Sequence, residues 1–142
     1  MTPTEPVTSE SVASALAISL TANSANVPDG LVRLNTDGTL DTAFNTNLGT
    51  GFDGGVEPVV VQNDNSILVG GSFTTLNSAN VPDGLVRLNT DGTLDTAFNS
   101  TLGTGFDGGV EPVVVQNDNS ILVGGSFTTL NSADVPNSLV RL

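Results

Sequence analysis

Two nearly identical copies of one segment make up most of this chain. Residues 26–79 and residues 80–133 are both 54 residues long and match at all but two positions. The two differences are Thr46 to Ser100 and Asn47 to Thr101. A third copy begins at residue 134 and covers the nine residues 134–142, of which six match. A fixed period of this length is typical of a supersecondary unit that buries its apolar face only against a neighbouring unit.

Each copy contains four segments of strand-like composition separated by turn-forming residues. In the first copy they are LVRLN at 31–35, TLDTAFN at 39–45, VEPVVVQ at 56–62 and SILVGGSFTTL at 66–76. The residues between them are rich in Asn, Asp and Gly, which favour tight turns. No segment of the repeat has a sustained helical pattern. Short strands at about ten-residue spacing predict an all-β fold, and four such strands per repeat predict a β-propeller blade of four antiparallel strands.

Two features inside the predicted strands are unusual. Val56, Val59, Val60 and Val61 make VEPVVVQ apolar on both faces, which predicts an inner strand covered by neighbouring blades. Pro58 removes a donor from the hydrogen-bond ladder, so we expect it at a bulge or beside a central channel. The pair Gly70 and Gly71 predicts a bend or a close backbone approach.

The repeat resembles the delta-60 repeat of bacterial and viral β-propellers. The resemblance is carried by ILVGGSFT (67–74 and 121–128), VRLNTDGTLDTAFN (32–45 and 86–99) and GTGFDGGV (49–56 and 103–110). It covers residues 26–142. The resemblance implies a propeller fold and says little about function, because the family is known mainly as repeats.

The chain is too short to close a propeller alone. Propellers usually need about four to eight blades, whereas this sequence supplies about two blades and one additional strand. An open pair of blades exposes strand edges and apolar faces, so we expect a homo-oligomer, preferably a trimer. The additional strand in residues 134–142 either pairs into a neighbouring chain as a strand donor or seals the chain's own edge. Head-to-tail donation that does not close produces a filament, and the sequence leaves ring and filament open.

Residues 1–25 lie outside the repeat and form a non-repeat extension. The run SVASALAISL at 11–20 is apolar but too short to span a membrane, and no basic segment of a classical signal peptide precedes it. Three interpretations remain open: a strand, a short helix bound to a partner, or a translocated tail. We expect this segment to be an attachment point for a capsid or surface partner.

The composition excludes most enzyme classes. The chain has no Cys, His, Trp, Tyr or Lys, and its basic residues are Arg33, Arg87 and Arg141 against 15 acidic residues, for a net charge of −12. Zinc sites built from Cys and His, catalysis by Ser–His, Cys–His or Lys nucleophiles, and a Lys-containing phosphate loop are therefore impossible. Three cations make nucleic-acid binding implausible. We expect no enzymatic activity, no catalytic or metal-binding residues and no cofactor.

The nearest approach to a binding motif is NTDGTLD at 35–41, repeated at 89–95. Asn35, Asp37 and Asp41 lie at spacings that resemble a calcium loop, but Arg33 occupies the position where such a loop needs an oxygen ligand. We therefore interpret the motif as a hairpin turn. Across a three-residue turn, Arg33 lies opposite Asp41, which predicts an ion pair within the hairpin rather than a site for an anion or sugar.

The aromatic residues indicate packing more than recognition. Three Phe per copy lie at strand positions and are expected in the blade core, namely Phe44, Phe52, Phe73, Phe98, Phe106 and Phe127. Lectins usually stack sugars on Trp or Tyr, and this chain has neither. Glycan binding therefore depends on Phe or on polar loops.

These observations favour a non-enzymatic structural or interaction protein assembled as an oligomeric β-propeller. The first hypothesis is a virion component, such as a phage capsid decoration or fibre protein. The alternatives are an adhesin or lectin-like binder of cell-surface glycans, and a secreted cell-surface filament built by strand donation. The expected location is a virion surface, the extracellular space or a cell surface.

Overall fold

The computed structural model of the protein describes residues 27–142, so the predictions for residues 1–25 lie outside the described residues. Short strands and two short helices alternate along these described residues. The strands are β1 Val56–Val61, β2 Ile67–Gly71, β3 Thr75–Leu76, β4 Ala79–Asn80, β5 Leu85–Leu88, β6 Val110–Val115, β7 Ile121–Gly125, β8 Thr129–Leu130, β9 Ala133–Asp134 and β10 Leu139–Arg141. The helices are α1 Thr42–Leu48 and α2 Thr96–Leu102.

Two three-stranded antiparallel sheets repeat the same arrangement. The first has the strand order β1-β2-β5, and the second has the order β6-β7-β10. Each sheet is accompanied by a two-stranded hairpin, β3 with β4 or β8 with β9. The predicted all-β architecture of propeller-like blades is confirmed. Each sheet takes its third strand from the next copy of the repeat, so structural and sequence units are offset.

Two apolar clusters lie on opposite faces of the first sheet. Because successive side chains of a strand point to opposite faces, Ile67 and Val69 of β2 belong to one cluster and Leu68 to the other. The first cluster packs the sheet against the segment from residue 31 to residue 52, and the second packs it against the second sheet. The two units therefore stack face to face, as adjacent propeller blades do.

Pro58 and Gly70 behave as the sequence predicts. The register between β1 and β2 shifts between Val56 and Val59, which places Pro58 at a bulge. A Cβ atom at Gly70 would lie 2.7 Å from the Pro58 ring and 2.9 Å from Val110 of the second sheet. The glycine therefore permits close packing both within the sheet and between the sheets.

The prediction of a strand at 39–45 is wrong. The structure has helix α1 from Thr42 to Leu48 instead, and only one bridge, Leu34 to Leu40, remains of the expected strand pairing. Asp41 starts the helix, because its side chain accepts a hydrogen bond from the backbone N–H of Phe44 at 3.2 Å. The second copy repeats this with Asp95 and α2. Each sheet thus has three strands where four were expected, and in the first sheet the bridge from Leu88 to Leu94 stands in place of the fourth.

Two other predicted strands are shorter than expected. The segment 66–76 divides into β2 and β3, since the chain leaves the sheet after Gly71. The segment 31–35 has only the bridge at Leu34, whereas the equivalent Leu85–Leu88 pairs along its length with β2.

Strand β10 lies in the chain's own second sheet. Leu139, Val140 and Arg141 pair with Gly124, Val123 and Leu122 of β7. Of the two alternatives for residues 134–142, the structure therefore shows the strand that seals its own edge and not the donated strand.

Candidate functional site

Arg33 is held by three different groups. Its guanidinium forms an ion pair with Asp41 at 2.7 Å and lies 4.0 Å from the centre of the Phe44 ring. It also donates a hydrogen bond to the backbone carbonyl of Thr90 at 2.8 Å, which links the first hairpin to the equivalent turn of the next copy. The predicted ion pair across the hairpin is confirmed, and the arginine is only 8% exposed. Arg33 thus stabilises the packing of neighbouring units and is not available to an anionic ligand.

The equivalent arginines have different surroundings. Arg87 pairs with Asp95 at 2.8 Å and lies over Phe98 at 4.3 Å, as in the first copy. Arg141 is exposed and has no ion pair within residues 27–142.

The calcium-like motif is a hairpin turn in the structure. Asp37 accepts hydrogen bonds from the backbone N–H and the hydroxyl of Thr39, at 3.1 and 2.7 Å, and these bonds lower the pKa of Asp37. Asn35 donates to the Thr39 hydroxyl at 2.9 Å, and Asp41 is occupied by Arg33 and the start of α1. The three side chains thus serve the turn, and no group of three or more acidic side chains in residues 27–142 is arranged to hold a metal ion.

The roles of two polar residues were not predicted from the sequence. Asp53 accepts three hydrogen bonds, from the backbone N–H groups of Thr74 and Thr75 at 2.8 and 2.9 Å and from the Thr74 hydroxyl at 2.7 Å. These bonds lower its pKa to about 2. The buried amide of Asn45 bonds both backbone groups of Arg33, at 2.8 and 3.0 Å. Both residues recur 54 positions later as Asp107 and Asn99, and that recurrence was the only sequence signal available.

The Phe side chains belong to the core, as predicted. Phe52 and Phe73 pack with ring centres 4.5 Å apart, and Phe106 repeats the contact with Phe127. Phe44 is buried under Arg33, so none of these five rings presents an open face for a sugar.

A groove of about 540 Å³ lies between the β4–β5 connection and helix α2. Its polar lining includes the side chains of Thr74, Asp83, Thr96, Ser100 and Thr104, and its apolar lining includes Val81, Pro82 and Leu94. Burial and the neighbouring Asp53 charge raise the pKa of Asp83. Residues equivalent to part of this lining, Leu40, Thr42, Asn45, Thr46 and Gly49, form a smaller cavity in the first copy. The groove is therefore a repeated feature of the units.

The outer face of the second sheet is the most apolar exposed surface of the described chain. Val114 and Leu139 are 53% and 55% exposed, and Leu122 between them is half-buried. We call these three residues the terminal face. Their counterparts in the first sheet are Val60, Leu68 and Leu85, of which both leucines are completely buried by the second sheet.

A comparison of the sequence with known families agrees with the antiparallel sheets and their face-to-face stacking. The family described as a β-propeller domain of unknown function, DUF5122, matches residues 22–44, 62–98 and 116–142. The chain belongs to this β-propeller family. The match supports a β-propeller repeat, a type of fold suited to protein interactions, without singling out the delta-60 repeat. No curated protein and no solved structure matches the chain.

The β-propeller units carry no membrane-spanning helix. Both helices of residues 27–142 have seven residues, and neither approaches the length and apolar character needed to cross a bilayer.

Proposed function

We propose that the protein is a non-enzymatic structural component and that several chains complete one β-propeller. The observation that carries the proposal is the blade count. Residues 27–142 supply two blade-like sheets, whereas propellers of this type close with about four to eight blades. Three chains supply six blades, which is the assembly we favour.

The environment of the acidic residues supports a structural function. A catalytic carboxylate needs access to substrate and a pKa suited to proton transfer. Asp37, Asp53 and Asp64 instead accept hydrogen bonds from neighbouring turns, and these bonds lower the pKa of each. Asp41 and Asp95 pair with arginines. These carboxylates are therefore committed to holding loops in place.

We propose further that the assembly lies on a virion or cell surface, as a phage capsid decoration or fibre protein does. Three features support this location: the acidic charge of −12, the absence of oxidisable Cys, and the resemblance to the delta-60 repeats of bacterial and viral propellers. Residues 1–25 are the proposed attachment segment. Capsid genes beside the gene of this protein would support a virion component. Genes for surface export beside it would contradict the virion location and favour the cell surface.

Light scattering coupled to size-exclusion chromatography tests the assembly. We expect a mass three times that of one chain, independent of the column loading over a tenfold range. A mass of two chains would replace the trimer with a four-bladed dimer. A single-chain mass at every concentration would contradict the proposed function.

The groove beside α2 favours glycan binding as a second candidate function. Its hydroxyl groups and Asp83 offer hydrogen bonds to a polyhydroxylated ligand, and its apolar residues offer a surface for the sugar ring. A glycan array tests this candidate by comparing the wild-type protein with the variant Thr96→Val, which removes one hydroxyl group from the lining of the groove. Saturable binding that the variant loses would support a lectin, and equal binding by both proteins would exclude this groove.

A further inference from the structure

The two sheets have almost identical sequences but different exposure. Leu68 and Leu85 are 0% exposed in the first sheet. In the second sheet, Leu122, the counterpart of Leu68, is half-buried, and Leu139, the counterpart of Leu85, is 55% exposed. Sequence cannot cause this difference, because the segments that form the sheets repeat without change. The difference arises because the second sheet covers the first, and no segment of residues 27–142 covers the second.

The contact that covers the first sheet is tight and specific. Val60 of β1 packs on the cluster that contains Val110 and Val113 of β6. Gly70 allows Val110 to approach so closely that an added Cβ would lie 2.9 Å from it. At Gly124, the counterpart of Gly70, the near atoms belong only to Pro112 and Ser138 of the same unit. The second sheet therefore has the same recess, and among residues 27–142 no side chain of another unit is as close to it as Val110 is to Gly70.

The first unit has the matching surface. Val59 occupies the position of Val113, yet it is half-buried whereas Val113 is 8% exposed. Val113 owes its burial to the preceding sheet. Val59 therefore stands where a preceding sheet would contact it.

We propose that the terminal face binds a second copy of this chain. In this contact, β1 of the second copy packs on β6 of the first copy, in the same way that β6 packs on β1 within one chain. Val114 of one copy then meets Val59 of the next. The occupant is a second copy because, within residues 27–142, the surface that covers this face of the first sheet is another copy of the same repeat. The inference rests on the proposed assembly and names its interface.

The edge of the second sheet is compatible with this contact. Residues 31–34 and residues 139–142 have the same sequence, LVRL. Strand 31–34 of the next copy can therefore form the same pairing with β7, and it would replace β10 at that edge. That strand brings α1, Asp41 and Phe44 with it, which are the groups that surround Arg33.

Single charge substitutions on the two surfaces test the inference. We expect Val114→Glu and Val59→Glu each to reduce the wild-type oligomer to single chains in light scattering, because both bury a carboxylate in an apolar contact. Ala133→Glu is the matched control, since it adds the same charge at an exposed position of the β8–β9 hairpin, outside the terminal face. Circular dichroism and thermal melting verify that each variant is folded.

A mixture of the two disruptive variants tests the direction of the contact. Each retains one intact surface, so a head-to-tail contact predicts a complex of two chains and nothing larger. No complex in the mixture would contradict the head-to-tail contact. A full-size Val114→Glu oligomer would exclude the terminal face while leaving the proposed function in place. Equal loss of the oligomer in Ala133→Glu would show a general effect of charge and would contradict the inference. A wild-type protein that never associates would contradict both proposals.

Discussion

At the scale of single residues, a small number of polar side chains joins parts of the unit that are far apart in sequence. Asp53 fixes the connection before β1 to the segment after β2, across 21 residues. Asn45 fixes α1 to the strand-like segment at Arg33, across 12 residues. Each bond occurs a second time in the next copy, so the loss of one affects one unit only. These side chains are therefore suitable for paired tests.

The pH dependence of stability tests the role of Asp53. Its pKa falls from an ordinary value of 3.8 to about 2 on folding, so its contribution is complete above the unfolded pKa and disappears as the pH falls through about 2. We expect Asp53→Asn to melt at a lower temperature than wild type at pH 6. The difference should shrink below pH 4 and vanish near pH 2.

Two matched variants control this measurement. Asp107→Asn removes the equivalent carboxylate, whose pKa is also about 2, and should show the same pH dependence. Asp83→Asn should have the opposite effect and raise the melting temperature at pH 6, because burial raises the pKa of Asp83 and makes its charged form unfavourable. A pH-independent loss in Asp53→Asn would contradict the role of the charge.

The arginines provide a comparison of paired and unpaired cations. Arg87→Met leaves the Asp95 carboxylate, whose side chain is 18% exposed, without its ion pair, so we expect a loss of about 1.5 to 3 kcal/mol in the free energy of unfolding. At a concentration low enough to keep the chains apart, Arg141→Met should change it by less than about 0.5 kcal/mol, because Arg141 is exposed in the single chain. Urea unfolding measures both values, and equal effects would contradict the assigned contacts.

The sequence predicted some of these contacts and could not predict others. Arg33 and Asp41 are eight residues apart across a short turn, so their pairing follows from hairpin geometry. The bonds of Asp53 and Asn45 depend on how the connections fold back over the sheet. No local pattern encodes that path. For the same reason, the groove beside α2 was not predicted.

At the scale of elements, the error at 39–45 shows which local signals compete. Thr and Phe favour strands, and seven residues are too few for helical periodicity to be visible. The decisive signal was Asp41, whose side chain caps the first turn. In contrast, β1, β2 and their Asn-rich turn were predictable, because a run of β-branched residues and a turn sequence agree with each other.

Two glycines with the same backbone conformation test the connection after α1. Gly51 has φ +90° and Gly38 has φ +89°, but a Cβ at Gly51 would overlap the backbone of Asp29 whereas Gly38 has open space. We expect Gly38→Ala to cost about 1 to 2 kcal/mol and Gly51→Ala about 3 to 5 kcal/mol. Urea unfolding measures both costs, and equal losses would contradict the close approach of Gly51 to Asp29.

At the scale of the whole molecule, stacking of the two sheets forms one of the two apolar clusters. The two clusters together take in both faces of the first sheet but only one face of the second. The repeat period predicted this arrangement, since a unit of this kind is stable only against a neighbour. The sequence of one repeat does not determine the number of blades in the complete assembly, because every copy presents the same surfaces.

A pair of leucine substitutions tests the asymmetry between the sheets. At a concentration low enough to keep the chains apart, Leu68→Ala should cost about 2 to 5 kcal/mol, because Leu68 is completely buried. Leu122→Ala should cost less than about 2 kcal/mol, because the same side chain is half-buried on the terminal face. Raising the concentration should bring the two costs together as Leu122 becomes covered. If the difference between the two costs in the free energy of unfolding stays the same at high concentration, coverage of the terminal face by a second copy is contradicted.

Electron micrographs of the purified wild-type protein test the completion of one propeller by several chains most directly. We expect class averages to show closed rings with two blades for each chain, and six blades for the favoured trimer. Particles of a single chain, or open filaments without rings, would contradict this account.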